Sequence, residues 1–399
     1  MTTVAEGVLV GKPRVSSIDL MRGIVMVIMA IDHTRDFFHL DNLYFDPTDL
    51  TKTNPALFFT RWITHYCAPT FVMLSGAAIA ISSVRKTKGE MSRFLLTRGL
   101  WLIFLEVVVV RFGLSFNFIF DALLFQVIWA IGASMVMMAA LIHLPARAIW
   151  ITGLVIVFTH GLLDLIPITA DHGAWFVIWG FLNRTFFFFD GSPIVMVPYP
   201  VLPWLGIMMS GFGVGLIFRP QFDAAKRKKY LLSIGAAAVT LFIVLRLINT
   251  FGDPSPWSVQ KDNLFTLLSF INVSKYPPSL LYTLMTLGPV LMILSWMETA
   301  NLTLLKPLNV FGRVPLFYYI LHFMLIHASA VFIYAVANHV SFANLTFRFT
   351  QDFGIPAEGR YGLPGTYMAW FCIVLFLYPL CVWYNRYKST HKHWWLSYL

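Results

Sequence analysis

The sequence predicts an all-α, polytopic integral membrane bundle, and three observations carry that expectation. Only 12% of the 399 residues are charged while 58% are hydrophobic, and soluble domains carry about 25% charge. The apolar residues fall in repeated runs of about 18–25, the length a helix needs to cross hydrocarbon. The basic residues gather in alternate loops, as the positive-inside rule requires. With a mean hydropathy of +0.71, length does not translate into soluble domains. The net charge of +10 belongs with cytoplasmic loops and anionic lipid and gives no argument for nucleic acid.

Taken in order, the apolar runs predict about ten spans: 18–38, 58–82, 95–116, 118–142, 147–166, 199–218, 229–251, 278–297, 313–337 and 364–385. The run 174–189 is short and interrupted by Asn183 and Arg184, so it reads as interfacial or re-entrant, with an eleventh span as the alternative. Ten spans with both termini cytoplasmic put Lys12, Arg14, Arg85, Lys86, Lys88, Arg93, Arg147, the run Lys226–Lys229, Lys306, Arg313, Arg386, Lys388 and Lys392 on one side. Arg348, Asp352 and other mixed charges fall on the opposite side. Eleven spans would place the Lys226–Lys229 cluster outside. Residues 1–17 lack the apolar core of a cleavable signal peptide and read as a cytoplasmic segment. Residues 18–385 read as one transmembrane domain, 386–399 as a basic cytoplasmic tail, and the location as the inner membrane. No stretch looks like a separate soluble domain. Cys67, Cys372 and Cys381 lie in apolar stretches, with neither metal-ligand spacing nor a disulfide framework.

The first span is anomalous. SIDLMRGIVMVIMAIDHTRDFFH carries Asp19, Arg22, Asp32, His33, Arg35, Asp36 and His39. Charge at the bilayer centre costs about 2.5–3.5 kcal/mol per residue on insertion scales, so a mere anchor would not carry it. Arg22 and His33 are eleven residues apart, close to three helical turns, and share a face about 16 Å apart along the axis. Asp19 lies a turn below Arg22 and Asp36 a turn above His33.

Further along, RWITHYCAPTFVMLSG places His65 near the outer end of the second span, at a depth close to His33 and His39. Its Pro69 loosens the backbone, and Ser75, Gly76 and Ala77 admit a close neighbour. Glu106, Arg111, Asp121, Gln126, Asp164 and Arg246 imply a polar, hydrated interior or structural ion pairs, such as Glu106 with Arg98 or Arg246. YPVLPWLGIMMSGFGVG offers a small-residue seam through Gly206, Ser210, Gly211, Gly213 and Gly215, and KYPPSLLYTLMTLGP has the same flavour. FGRVPLFYYILHFMLIH starts at a cytoplasmic edge marked by Arg313 and carries Tyr318, His322 and His327 to mid-membrane depth. Spacing of five residues between those histidines is poor for a shared metal, and no metal is expected. No phosphate loop, nucleophile elbow, HExxH motif or nucleic-acid module is present.

Together these five ordered motifs resemble the heparan-α-glucosaminide N-acetyltransferase family, part of a wider group of transmembrane acyltransferases related to the acyltransferase-3 proteins. The resemblance covers nearly the whole chain. It implies transfer of an acyl group, acetyl foremost, from cytoplasmic acyl-CoA to a sugar or glycan on the far side of the membrane. An Arg near the start of the first helix with a His eleven residues on matches the acyltransferase-3 pattern, here Arg22 and His33. In the heparan enzyme the catalytic histidine lies past the first helix, and His39 is the nearest match by position, so both histidines stand as candidates.

The expected roles follow. His33 or His39 serves as general base or acyl acceptor, oriented by Asp32 or Asp36. Arg22, Asp19 and Arg313 serve the coenzyme, whose phosphates suit a guanidinium. His65, Arg35, His322 and Tyr318 serve the acceptor side. Membrane lipids and a second copy of the chain are the remaining candidate partners. The competing class is a proton-coupled transporter or flippase of a small polar solute, with the same charges as a proton relay; the sequence has no evident internal repeat to favour it.

Overall fold

In the computed structural model, which describes residues 16–188, 193–219, 221–345, 355–391, 393 and 396, the first apolar run forms α1, Ser16–Phe38. Lys12, Arg14, Arg348, Asp352, Lys392 and most of the 386–399 tail beyond residue 391 lie outside the described residues. Next come α2, Pro55–Thr64, and α3, Cys67–Ser82. Asn54 caps α2 through Leu57 N, with Pro55 at the first helical position, where its missing N–H costs nothing. Between α2 and α3 the cause of the break is Pro69. A proline there cannot donate to the carbonyl four residues back, that of His65. The Tyr282 hydroxyl donates to that carbonyl instead, at 2.7 Å.

Thr87 and Glu90 form a reciprocal capping box at the start of α4, Lys88–Phe104. The helix continues as a π-helical segment, Leu105–Val110, into α5, Arg111–Ser115. Here the structure departs from the expected span 118–142. Residues 122–124 form a short strand, β1, and the helix α6 begins only at Val127 and ends at Leu141. The reason is electrostatic: buried Glu106 accepts the backbone N–H groups of Gln126 and Trp129, capping α6 within the bundle. Glu106 is therefore a helix cap, and the expected ion pair with Arg98 or Arg246 does not form. Arg111 pairs with Asp121 and also donates to the Ala122 carbonyl.

Helix α7, Ala146–Thr159, follows, and then α8, Ala174–Leu182. Nine residues rise only about 14 Å, half a hydrocarbon core, so the 174–189 run does not span. Strands β2, Phe186–Phe188, and β3, Ile194–Val197, complete a small sheet in the order β1-β3-β2, with β1 parallel and β2 antiparallel to β3. The rest is helical: α9, Val201–Leu216; α10, Ala224–Ile248; α11, Asn263–Ile271; α12, Leu280–Met297; α13, Asn309–Arg313; α14, Pro315–Ala337; and α15, Leu363–Thr390. Among the described residues, six helical stretches are long and apolar enough to cross a membrane: 55–85, 146–165, α10, α12, α14 and α15. α6 and α9 are shorter apolar helices, and α1 carries too many charges to join the set.

α1 is the hub, packed against α2, α3, α13, α14 and α15. Two close approaches hold it there. A Cβ on Gly23 would fall 1.9 Å from the Leu308 carbonyl oxygen and one on Gly312 1.8 Å from that of Asp19, so α13 seats directly on the start of α1. The expected seam on α9 also forms: a Cβ on Gly211 would lie 2.2 Å from Met73 O, and one on Gly76 1.9 Å from Met208 O. Gly211→Val is expected to force α9 off α3 and to cost about 1–3 kcal/mol or more, read as a lowered thermal midpoint in detergent. An unchanged midpoint would refute the packing described.

At the Lys/Arg-rich end, Glu298 accepts from Ser17 Oγ and Arg227 Nε, each at 2.6 Å, tying α1, α10 and α12 together. At the other end, buried Arg246 donates to the carbonyls of Ser255, Ser269, Phe270 and Asn272. Asp253 accepts from Ser274 N and Ser279 Oγ, and Ser279 caps α12. These bonds fix the loop 249–279, which carries Lys275 and Tyr276 to the functional site.

Candidate active site

The C-terminal half of α1 projects Asp32, His33, Arg35 and Asp36 into one cavity of about 210 Å³. That is about seven waters' share of liquid volume, room for a single sugar ring. The other walls come from Arg61 of α2, Leu124 of β1, Gln126, Pro198, Tyr199 and Tyr276. A recess of about 30 Å³ shares Asp32, His33, Gln126 and Tyr199 with it and is lined further by Met29, Cys67, Val127 and Lys275. Met29 lies one turn closer than His33 to the Lys/Arg-rich end, so the recess leads inward along α1.

Charge in this site is paired in a definite order. Asp32 Oδ2 accepts from Arg61, and Oδ1 is ion-paired with Arg35 Nη2 at 3.1 Å without a hydrogen bond. Arg35 Nη2 also donates to Asp36 Oδ1 at 3.1 Å. Asp36 Oδ2 lies 3.6 Å from His33 Nδ1, as the one-turn spacing requires. Arg61 reaches Tyr276 Oη at 3.4 Å.

His33 packs at 4.0 Å, centroid to centroid, on Phe323 and at 5.2 Å on His322, both from α14. The sequence suggests that His33, His39 and His65 converge; the structure pairs His33 with His322 instead. His322 Nδ1 is 3.1 Å from the Tyr318 carbonyl, so that nitrogen donates, and the Tyr318 ring stacks on His322. His322 Nε2 and the Tyr318 and Tyr319 hydroxyls are buried without a hydrogen-bond partner among the described residues. His65 is buried against the Tyr282 ring at the α2–α3 break and lines neither space. His39 follows the last turn of α1, where the bonds Tyr361 N to Phe38 O and Leu40 N to Tyr361 O staple it to the segment before α15. Burial lowers its pKa, Asp41 opposes that, and Arg35 and Arg360 reinforce it. His39 does not line the cavity. His327 is sandwiched between Phe37 and Phe116, with Nδ1 3.0 Å from the Gly113 carbonyl, a packing role.

Arg22 and Asp19 stay at the opposite end of α1, 3.6 Å apart, and Arg22 Nη2 donates to the Leu74 carbonyl at 3.1 Å. Arg313 is exposed at the end of α13, which rests on Asp19 through Gly312. Among the described residues, no group of three or more His, Cys, Asp or Glu is placed to hold a metal ion.

One helix thus presents an arginine at its basic-loop end and a carboxylate-flanked histidine in a cavity at the other. A model of the heparan-alpha-glucosaminide N-acetyltransferase catalytic domain matches residues 14–246. The chain belongs to that family. A search of curated proteins found none that matches it. The family match takes in α1 through α10 and therefore most of the cavity wall, and it makes this a membrane acetyltransferase-family protein. It stops short of Lys275, Tyr276 and His322, which come from the C-terminal part of the chain.

Several of these residues escape sequence reasoning. Arg61 enters only as a letter in RWITHYC, and Lys275 only as the first letter of KYPPSLLYTLMTLGP. Tyr199 and Tyr276 stand beside prolines in the two YP motifs. The available signal for Arg61 was its charge in an apolar run, four residues before His65 and so on the same face.

Proposed function

We propose that the protein transfers an acetyl group from cytoplasmic acetyl-CoA to a sugar hydroxyl or amine held in the outer cavity, with His33 as general base. The observation that carries this reading is the His33–Asp36 pair in a cavity at the far end of α1 from Arg22. Acetyl-CoA supplies an activated thioester acetyl group when bound. Arg22, with its remaining N–H donors, and exposed Arg313 fit its phosphates, while Asp19 holds the Arg22 side chain in place.

His33 acts on the acceptor. Its Nδ1 faces Asp36, which leaves Nε2 to take the acceptor's proton as the acceptor attacks the thioester carbonyl; the C–S bond then breaks and that proton passes to the departing coenzyme sulfur. Asp36 steadies the ring and offsets the positive charge the imidazole gains. Asp32 is committed to Arg61 and Arg35 and acts as a positioning residue, joining α2 to α1 so that Arg61 and Tyr276 face His33. His322 and Phe323 pack the ring from behind.

The test is calorimetric titration of acetyl-CoA into the detergent-purified protein. Binding is expected, weakened about tenfold or more in Arg22→Ala, the loss of one or two charge-assisted hydrogen bonds. Arg22→Lys is expected to fall between them. A wild-type protein that binds no acetyl-CoA would overturn the transferase reading and favour a transporter.

A further inference from the structure

Lys275 has no role in the chemistry just described, yet it is placed with care. It is only 7% exposed, on a loop residue that lines the recess beside Asp32 and His33. Its ammonium lies 5.0 Å from the centre of the Tyr276 ring and 6.0 Å from that of Tyr199. Those ring faces offset part of its desolvation. Asp32 and Asp36 are already engaged by Arg35, Arg61 and His33, and among the described residues no carboxylate lies within ion-pair distance of Lys275, which Asp32 meets only through the longer-range field. A buried charge without a direct partner is costly.

Nor does the loop need Lys275 for its shape, because Arg246 and Asp253 hold it through carbonyl, amide and hydroxyl partners. Arg35 shows the same surplus. Its Nη2 serves Asp32 and Asp36, while its Nε and Nη1 are buried without a hydrogen-bond partner. The cavity and recess thus set three cations, Arg35, Arg61 and Lys275, against two carboxylates, Asp32 and Asp36.

We infer that Lys275 and Arg35 form an anion subsite, so that the acceptor carries a carboxylate or phosphate group beside the position that is acetylated. This rests on reading the cavity as the acceptor site. The field there acts on a neighbour: burial and Asp32 push the Tyr276 phenol up, Lys275, Arg61 and a hydrogen bond with Tyr199 push it down, and its pKa ends below the usual tyrosine value. A neutral sugar fits the space and leaves the surplus charge unmet, whereas an acidic sugar or a sugar phosphate meets it with charge-assisted hydrogen bonds.

The experiment is titration of the full-length purified protein with glucose, glucuronate and glucose 6-phosphate, and separately with acetyl-CoA, for wild type, Lys275→Gln and Lys275→Arg. Wild type is expected to bind at least one anionic sugar about tenfold or more tighter than glucose, the scale of one charged hydrogen bond. Whichever anion wins identifies the carboxylate or the phosphate as the group recognised. Lys275→Gln is expected to lose the preference with glucose and acetyl-CoA affinities unchanged, which also certifies its fold, and Lys275→Arg to keep it. Equal binding of neutral and anionic sugars by wild type, or a preference that survives in Lys275→Gln, would overturn the subsite. So would a Lys275→Gln variant that weakens acetyl-CoA, because the anion would then belong to the coenzyme. Anion preference without any acetyl-CoA binding would remove the transferase reading and leave the subsite standing.

Discussion

His33→Ala is expected to lower acetyl transfer by about 10²–10⁴-fold, the range for a positioned general base, with acetyl-CoA affinity unchanged. Transfer would be followed with labelled acetyl-CoA and a panel of amino sugars in detergent or proteoliposomes. His39→Ala is the decisive comparison. His39 is stapled beside Tyr361 outside the cavity lining, so its removal is expected to leave kcat near the wild-type value and to affect stability only. Full activity in His33→Ala together with a comparable loss in His39→Ala would reverse the assignment. The two variants separate cleanly because only one of these side chains has both a carboxylate a turn away and an open space beside it. Asp36→Asn should reproduce part of the His33 loss in kcat with a smaller change in KM, since its main effect is exerted through the His33 ring. A purely structural role for Asp36 would instead show as lowered stability with kcat retained.

Much of this site is legible along one helix and little of it across helices. The i, i+3 and i+11 spacings within α1 place Asp19 by Arg22, Asp36 by His33, and Arg22 and His33 three turns apart, because a helix fixes those relations locally. Its exceptional charge inside an apolar run marks it as functional before any contact is known. The partners from elsewhere are another matter. Asp32 meets Arg61 twenty-nine residues on and His33 meets His322 on α14. Helix packing decides these pairs, and no period in the sequence encodes them. Depth alone groups His33 with His39 and His65, but depth says nothing about azimuth. His65 turns toward Tyr282 at the proline break, and His39 turns toward Tyr361.

The same limit explains Glu106. A buried carboxylate invites a basic partner, and the sequence supplies several. A helix N-terminus is an equally good partner, with N–H groups that require an acceptor in any case. Glu106 takes that option with α6, which shortens the expected span and frees 118–126 to form β1 and the cavity edge at Leu124 and Gln126. A π-helical segment carries Glu106, and such segments recur at functional sites. The departure from the regular span pattern therefore falls where the chain builds the cavity edge.

Arg61→Met is expected to destabilise the protein by about 3–5 kcal/mol, the cost of breaking a buried ion pair by removing one member. Arg61 is 7% exposed and is the one cation from α2 on Asp32; with it gone, the only ion pair the carboxylate keeps is with Arg35 Nη2, which Asp36 shares, and Lys275 acts on it only from a longer distance. The apolar replacement fills similar space and cannot stand in for the charge. The thermal midpoint in detergent measures the effect. Asp32→Asn in the Arg61→Met background removes the stranded charge and should recover part of the loss, with a coupling energy of about 0.5–3 kcal/mol between the two sites. Activity should recover less than stability does. The pair also fixes α2 against α1 and presents Arg61 to Tyr276, and a neutral pair restores the charge balance but not that geometry. If Arg61→Met melts with wild type, Asp32 is satisfied without Arg61, and the account of how α2 is held at the cavity fails. If the double variant regains full transfer, Arg61 and Asp32 serve the fold alone, and the charge facing the acceptor reduces to Arg35, Lys275 and Asp36.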